Sequence, residues 1–234
     1  MIYWAGKSSD DVRVIVEKYP QRTIPQKKVS TITIPGRNGD LLQDEDAYSN
    51  YTQDYEVYLS AERSRLPAVA HAAANWLCGP SGYQRLEDDY DHGVFRLAYF
   101  SGPAEIENIF NRFGRATLRF VCKPQSFLRF GVFPVSLSSP GSLHNPTIFS
   151  ALPLITLRGS GAAQLQVGPY IVAIADIDEY LVIDCDTQNA YKGTQNKNTE
   201  ISAAAFPRLD AGDSEISWTG GITSVEITPR WWTL

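Results

Sequence analysis

Cysteine is scarce: Cys78, Cys122 and Cys185 are the only three, widely spaced and without a C-x-x-C pair, so the chain has no disulfide framework. The expectation is three reduced thiols, mostly buried as small apolar side chains, in a protein folded in a reducing cytoplasm. Histidine is as rare. His71, His92 and His144 have no partner at zinc-ligand or nucleophile-elbow spacing. No basic n-region with an apolar stretch opens the chain, and no apolar run approaches the ~18 residues that span a bilayer, which predicts a soluble protein without a cleaved signal and without a membrane partner. Positive charge is in deficit too. A net charge of −5 and a pI near 5.2 exclude a protein whose main task is to grip nucleic-acid phosphates.

What is present suits many short strands. Only 20% of residues are charged against 43% hydrophobic and 12% aromatic, and 14 Pro and 17 Gly punctuate the chain. At 234 residues it fits one large β domain or two domains of about 110 residues. The first third alternates at period two, with Val12, Val14 and Val16 on one face, then Ile32 and Ile34, then Tyr55, Val57 and Leu59, the pattern of half-buried strands. Between them lies P-G-R-N-G-D-L-L, residues 35–42, whose Asn38-Gly39 pair predicts a type I′ hairpin turn.

One stretch breaks the alternation. Residues 65–79 place Leu66, Ala70, Ala73 and Leu77 at helical spacing, with Pro67 in the first turn and Gly79 as a stop. This predicts one main helix near 65–78. Strands follow, the last with Ala116, Leu118, Phe120 and Cys122 on one face. In residues 126–152 Ser, Pro and Gly crowd together, and there the reading sets the boundary between a β-rich domain, 1–130, and a second, 131–234. Beyond it short apolar segments recur every ten or so residues, the spacing of a β-sandwich. The fold class is mainly β.

Chemistry-bearing clusters are few. The run E-D-D-Y-D-H, residues 87–92, offers oxygen atoms to a cation but reads better as a solvated loop. D-C-D-T-Q-N at 184–189 fails as an EF-hand, with Asn189 where Gly is needed and Gln195 where Glu is needed. Asp176 and Asp178 flank a strand end on one side, without a visible cleft for acid–base work. No catalytic residue, cofactor or metal is assigned, and the chain is read as a non-enzyme. Trp218 alternates with Ile216, which makes it a core residue of the sandwich sooner than a ring that stacks on sugar.

The motifs taken in order carry more than any one of them. P-G-R-N-G-D-L-L, A-Y-S-N-Y-T-Q-D-Y-E-V-Y-L, W-L-C-G-P-S-G-Y-Q-R-L-E-D-D-Y-D-H-G-V-F-R-L-A-Y-F, A-T-L-R-F-V-C-K-P-Q-S-F, N-P-T, P-L-I-T-L-R-G-S-G and V-E-I-T-P-R-W-W-T-L together resemble the distal tail protein family of long-tailed (siphovirus-type) bacteriophages and prophages, over nearly the whole chain. The resemblance implies an N-terminal β-rich domain that forms a ring and a C-terminal galectin-like β-sandwich. It further implies a virion protein made in the host cytoplasm that forms a homohexameric hub ring, with stacked rings a variant, at the distal end of the tail. Such a ring joins the tail tube to tail-tip or baseplate proteins, and DNA passes through its lumen without specific binding. The rival function is a carbohydrate-binding baseplate module, for which Trp218 is the one stacking candidate.

A ring needs two unlike complementary surfaces on each copy. The hairpin tip, Arg37, Asn38 and Gly39, is the candidate for one of them. The C-terminus supplies another, because Trp231 and Trp232 stand within four residues of the end. If the strand stays extended through Pro229, Trp231 shares parity with Val225 and Ile227 and enters the core, whereas Trp232 and Leu234 point away and require a second surface. The reading places that surface over residues 126–135 or on a neighbouring subunit.

Overall fold

The computed structural model describes residues 1–62, 65–109 and 113–234. The chain is mainly β and divides into two compact units, Met1–Ser126 with Leu234, and Phe127–Thr233. The sequence reading drew that division at 130/131.

The first unit contains β1 (Ile2–Trp4), β2 (Lys7–Ser8), β3 (Val14–Val16), β4 (Lys27–Ile32), β5 (Leu41–Tyr48), β6 (Tyr51–Ser60), α1 (Leu66–Cys78), β7 (Gln84–Asp88), β8 (Val94–Phe100), β9 (Glu107–Ile109) and β10 (Phe113–Leu128). Its main sheet is antiparallel in the order β2-β1-β7-β8-β10-β6-β3. Tyr55, Val57 and Leu59 of β6 and Ala116, Leu118, Phe120 and Cys122 of β10 are all buried, as strict alternation along two paired strands requires. Phe120 is the centre of this face, with Trp4 at 4.9 Å, Phe100 at 5.6 Å and Tyr55 at 5.9 Å between ring centroids. Helix α1 adds Leu66, Ala73, Trp76 and Leu77 to the same core, and the Trp76 indole N–H donates to the Trp4 carbonyl at 3.3 Å. Each such ring contributes roughly 2–3 kcal/mol by burial.

The other face of β6 and β10 is polar and pairs across the strands. Asp54 lies directly opposite Arg119, which grips it with two bonds of 2.8 and 3.0 Å. Arg115 bonds Glu17 at 2.8 Å, and Lys18 pairs with Glu56 at 2.8 Å. These exposed pairs are worth little stability each, about 0–1 kcal/mol, but they neutralise the surface locally.

Strands β4 and β5 form a separate two-stranded sheet with no buried residue on either strand. Here the structure corrects two expectations. Ile32 and Ile34 are exposed, at 47% and 38%, instead of half-buried in a larger sheet. The connection is not a two-residue type I′ turn: β4 ends at Ile32 and β5 begins at Leu41, and Gly36 and Gly39, not Asn38, take the positive φ. The Arg37 amide donates to the Ile34 carbonyl and the Thr33 hydroxyl to Asp40, so the wider loop has bonds of its own that the Asn-Gly turn lacked.

The second unit contains β11 (Val135–Leu137), β12 (Gly141–Asn145), β13 (Leu154–Val167), β14 (Tyr170–Ile174), β15 (Asp178–Asp184), β16 (Asn189–Lys192), β17 (Gln195–Asn196), β18 (Ile201–Ala203), β19 (Gly212–Thr228) and β20 (Trp232–Thr233). The long strands β13 and β19 pair along their lengths and serve two layers. Residues 154–158 of β13 pair with β15 and the end of β19, and residues 163–167 pair with β14 and the start of β19. Ile155 and Leu157 from one half and Leu165 and Val167 from the other enter one core with Ile216, Val225 and Ile227.

The bend between the halves depends on absent side chains. The register slips between Arg158 and Ala163, and a Cβ on Gly221 would stand 1.7 Å from the Ser160 carbonyl oxygen, one on Gly159 2.0 Å from that of Gly221. Only glycine permits so close an approach of two backbones. Gly221→Ala is therefore expected to destabilise the second unit by roughly 3 kcal/mol, the upper range of overpacking. Chemical denaturation checks this, and a variant within about 1 kcal/mol of wild type, the size of an ordinary substitution, would show that the bend tolerates a side chain.

Candidate functional site

The clusters that sequence offered for chemistry are consumed by the fold. Asp88 is 3% exposed and accepts from the Tyr55 hydroxyl at 2.7 Å, from the amides of Tyr90 and Asp91 at 3.1 and 3.0 Å, and from Arg96 at 3.4 Å. Asp89 takes the N-terminal ammonium at 2.8 Å, and Asp91 faces Arg96 at 3.5 Å. The acidic run is thus the organised turn between β7 and β8. Burial, with the Asp88 charge beside it, holds the Tyr55 hydroxyl well above its usual range.

Asp178 pairs with Lys192 at 2.9 Å. His144 bonds Asp213 at 2.8 Å with both side chains exposed. Among the described residues no three His, Cys, Asp or Glu side chains gather as a metal site. Cys122 and Cys185 are buried, and burial pushes both thiols to about 12. Cys78 corrects the expectation for thiols: it is exposed at the end of α1.

Arg37, Asn38 and Gly39 lie together in the exposed loop of the β4–β5 arm. Along the arm Lys27 bonds Asp44 and Ser30 bonds Glu45. Its apolar side chains, however, have no cover: Val29, Ile32, Leu41 and Leu42 are 42–64% exposed. Ile32 lies directly opposite Leu41 and so shares a face with it.

At the other end of the chain, β19 stops at Thr228 and Arg230 adopts a left-handed backbone, φ +60. The extended path assumed from parity is broken there, yet Trp231 is 4% exposed and belongs to the second unit's core. It packs on Gly131, where a Cβ would come within 2.7 Å of the Trp231 amide nitrogen. The Arg230 amide donates to the Gly131 carbonyl at 2.7 Å and the Leu128 amide to the Trp231 carbonyl at 2.8 Å. Trp232 is half-buried, stacked on Phe149 at 4.3 Å, and its indole N–H donates to the Ser150 carbonyl at 2.9 Å. Leu234 is half-buried and groups with the first unit. Trp218 registers opposite Leu165 and packs against the core. The tail anchor was missed in sequence because Ser150 lies 82 residues from Trp232.

A partly buried ion pair fixes the tail. Arg230 reaches Asp184 at 2.6 and 3.4 Å. Burial alone raises the Asp184 carboxyl, but the bond and charge of Arg230 and the amides of Asp186 and Thr187 outweigh it and hold it below the ordinary range. A depressed carboxyl contributes stability in full above its unfolded value, about 4, and loses it as pH falls through the folded value. Arg230→Ala is expected to cost about 1.5–3 kcal/mol at neutral pH, shrinking below about pH 4. Arg230→Gly loses the same pair but relieves the left-handed backbone, and should recover roughly 1 kcal/mol. Thermal melts across that pH range check both; a deficit that ignores pH would remove the ion pair from the account.

No protein-family model matches the chain, and no curated protein sequence does. Solved structures do. The SPP1 Dit protein (gp 19.1), described as a paradigm of the hub adsorption apparatus in phages that infect Gram-positive hosts, aligns with a TM-score of 0.77 over 100% of this chain and 98% of its own, at 12% identity. The phage P2 baseplate in its activated conformation with Ca gives 0.55 over 92% of this chain and 89% of that one, at 7% identity, and the form with Sr gives 0.51 over 92% and 90%, at 8%. At these identities the likeness is one of fold: from its first residue to its last, this chain is built like a phage hub protein.

Proposed function

We propose that this protein is a non-enzymatic structural component of a phage tail tip, a homohexameric hub ring that joins the tail tube to tail-tip or baseplate proteins while DNA passes through its lumen. It acts in the virion after synthesis in the host cytoplasm. The observation that carries the reading is the uncovered β4–β5 arm on a chain whose whole length follows a hub-protein fold. An isolated two-stranded hairpin is marginal in water, and apolar side chains left open on one mark a surface that meets a partner. Arg37, Asn38 and Gly39 at its tip are assigned to that contact. Trp232 and Leu234, both half-buried, offer their remaining surface to the same assembly. The local neutralisation of the sheet face by Arg119, Arg115 and Lys18 suits a particle through which a polyanion must slide without sticking.

The expected outcome in solution is a six-fold ring with an open centre, seen by negative-stain imaging and by mass measurement at rising concentration. Arg37→Glu should reduce assembly with an unchanged circular dichroism spectrum. A chain that stays monomeric at high concentration and binds glycans would replace the hub with a carbohydrate-binding module.

A further inference from the structure

The first unit carries a second uncovered apolar feature. A cleft of about 870 Å³ runs between α1 and the segment after β8, with Ala70, Ala74 and Cys78 on the helix side and Tyr99, Pro103 and Ile106 across from them. None of the side chains that line it is charged. Helix α1 itself, L-P-A-V-A-H-A-A-A-N-W-L-C, has no Asp, Glu, Lys or Arg although Ala68, His71, Ala72, Ala74 and Asn75 face solvent. An exposed helix face normally carries charge, so this one lacks the groups that keep a surface apart from others. The cleft is within the range of sites that take a ligand-sized apolar body.

What fits it is present in the same chain. The Ile32–Leu41 pair forms an uncharged, two-residue-wide knob at the loop end of the arm, with the arm's acidic residues, Asp44, Glu45 and Asp46, set back toward its base. In the structure the arm's own residues do not line the cleft. A heterologous ring requires each copy to present two different surfaces that complement each other, and these two are the uncovered apolar pair that the first unit possesses among its described residues.

We propose that the α1 cleft is the socket for the Ile32–Leu41 end of the arm of a neighbouring copy, so that every subunit is plug on one side and socket on the other. The proposal rests on the ring reading and names the surface that receives the arm. Knob and socket are both uncharged, so the contact forms without desolvating an ion, and the closed ring leaves neither surface open.

Cys78 makes the socket testable, because the other two thiols are buried and held in the unreactive form. In the full chain carrying Ile32→Cys, mild oxidation of assembled protein should link Cys78 of one copy to the new thiol of the next. The product is a reducible ladder of multimers that disappears in Ile32→Cys with Cys78→Ser. Ala74→Arg places a good helix former at an exposed helical position, so melting should be unchanged while the concentration for half-assembly rises at least tenfold. Ring formation is scored first. Rings that form normally in Ala74→Arg and give no ladder overturn the socket and leave the hub reading in place; a chain without rings at any concentration overturns both.

Discussion

A β-strand has two faces, and one core can cover only one of them. The first unit covers one face of its main sheet with α1 and the aromatic cluster about Phe120, and gives the opposite face to solvent as cross-strand ion pairs such as Arg119 with Asp54. The second unit solves the same problem by bending. Strands β13 and β19 turn together where Gly159, Gly220 and Gly221 let the backbones touch, and each half then covers the other. Only the β4–β5 arm is left without a covered face, and that is the point at which the chain's own resources end.

The legible part of the fold was the part governed by local periodicity. Tyr55, Val57 and Leu59, and the Ala116 to Cys122 series, read directly as buried rows, because alternation along a strand is a property of the strand alone. The helix read as 65–78 and observed at Leu66–Cys78 was legible for the same reason. The hairpin failed where two turn chemistries competed: Asn38-Gly39 looked sufficient, but a second glycine at Gly36 and the Thr33–Asp40 bond selected a longer loop. Burial of the arm was misjudged because alternation says which side chains share a face and never whether anything packs on it.

The candidate site was legible only as a loop and a tail. That Ile32 and Leu41 form one knob depends on register, and register depends on the loop length that was misread. That Cys78 borders a cleft depends on where α1 lies on the sheet. Trp231 was placed in the core by a parity argument whose premise, an extended path through Pro229, does not hold. It reaches the core because the left-handed turn at Arg230, locked by Asp184, resets the direction of the chain. Sequence supplied the apolar residue; a long-range ion pair supplied its address.

The tail anchor has a consequence for how such proteins diversify. The bond from Leu128 to Trp231 sets the entrance and the exit of the second unit side by side, so that unit behaves as a cassette whose two ends share one doorway. A module of this kind can be enlarged, exchanged for an unrelated one or removed, and the path of the remaining chain need not change. Variation in what a tail tip presents to its host can then accumulate behind that doorway while the framework ahead of it stays the same.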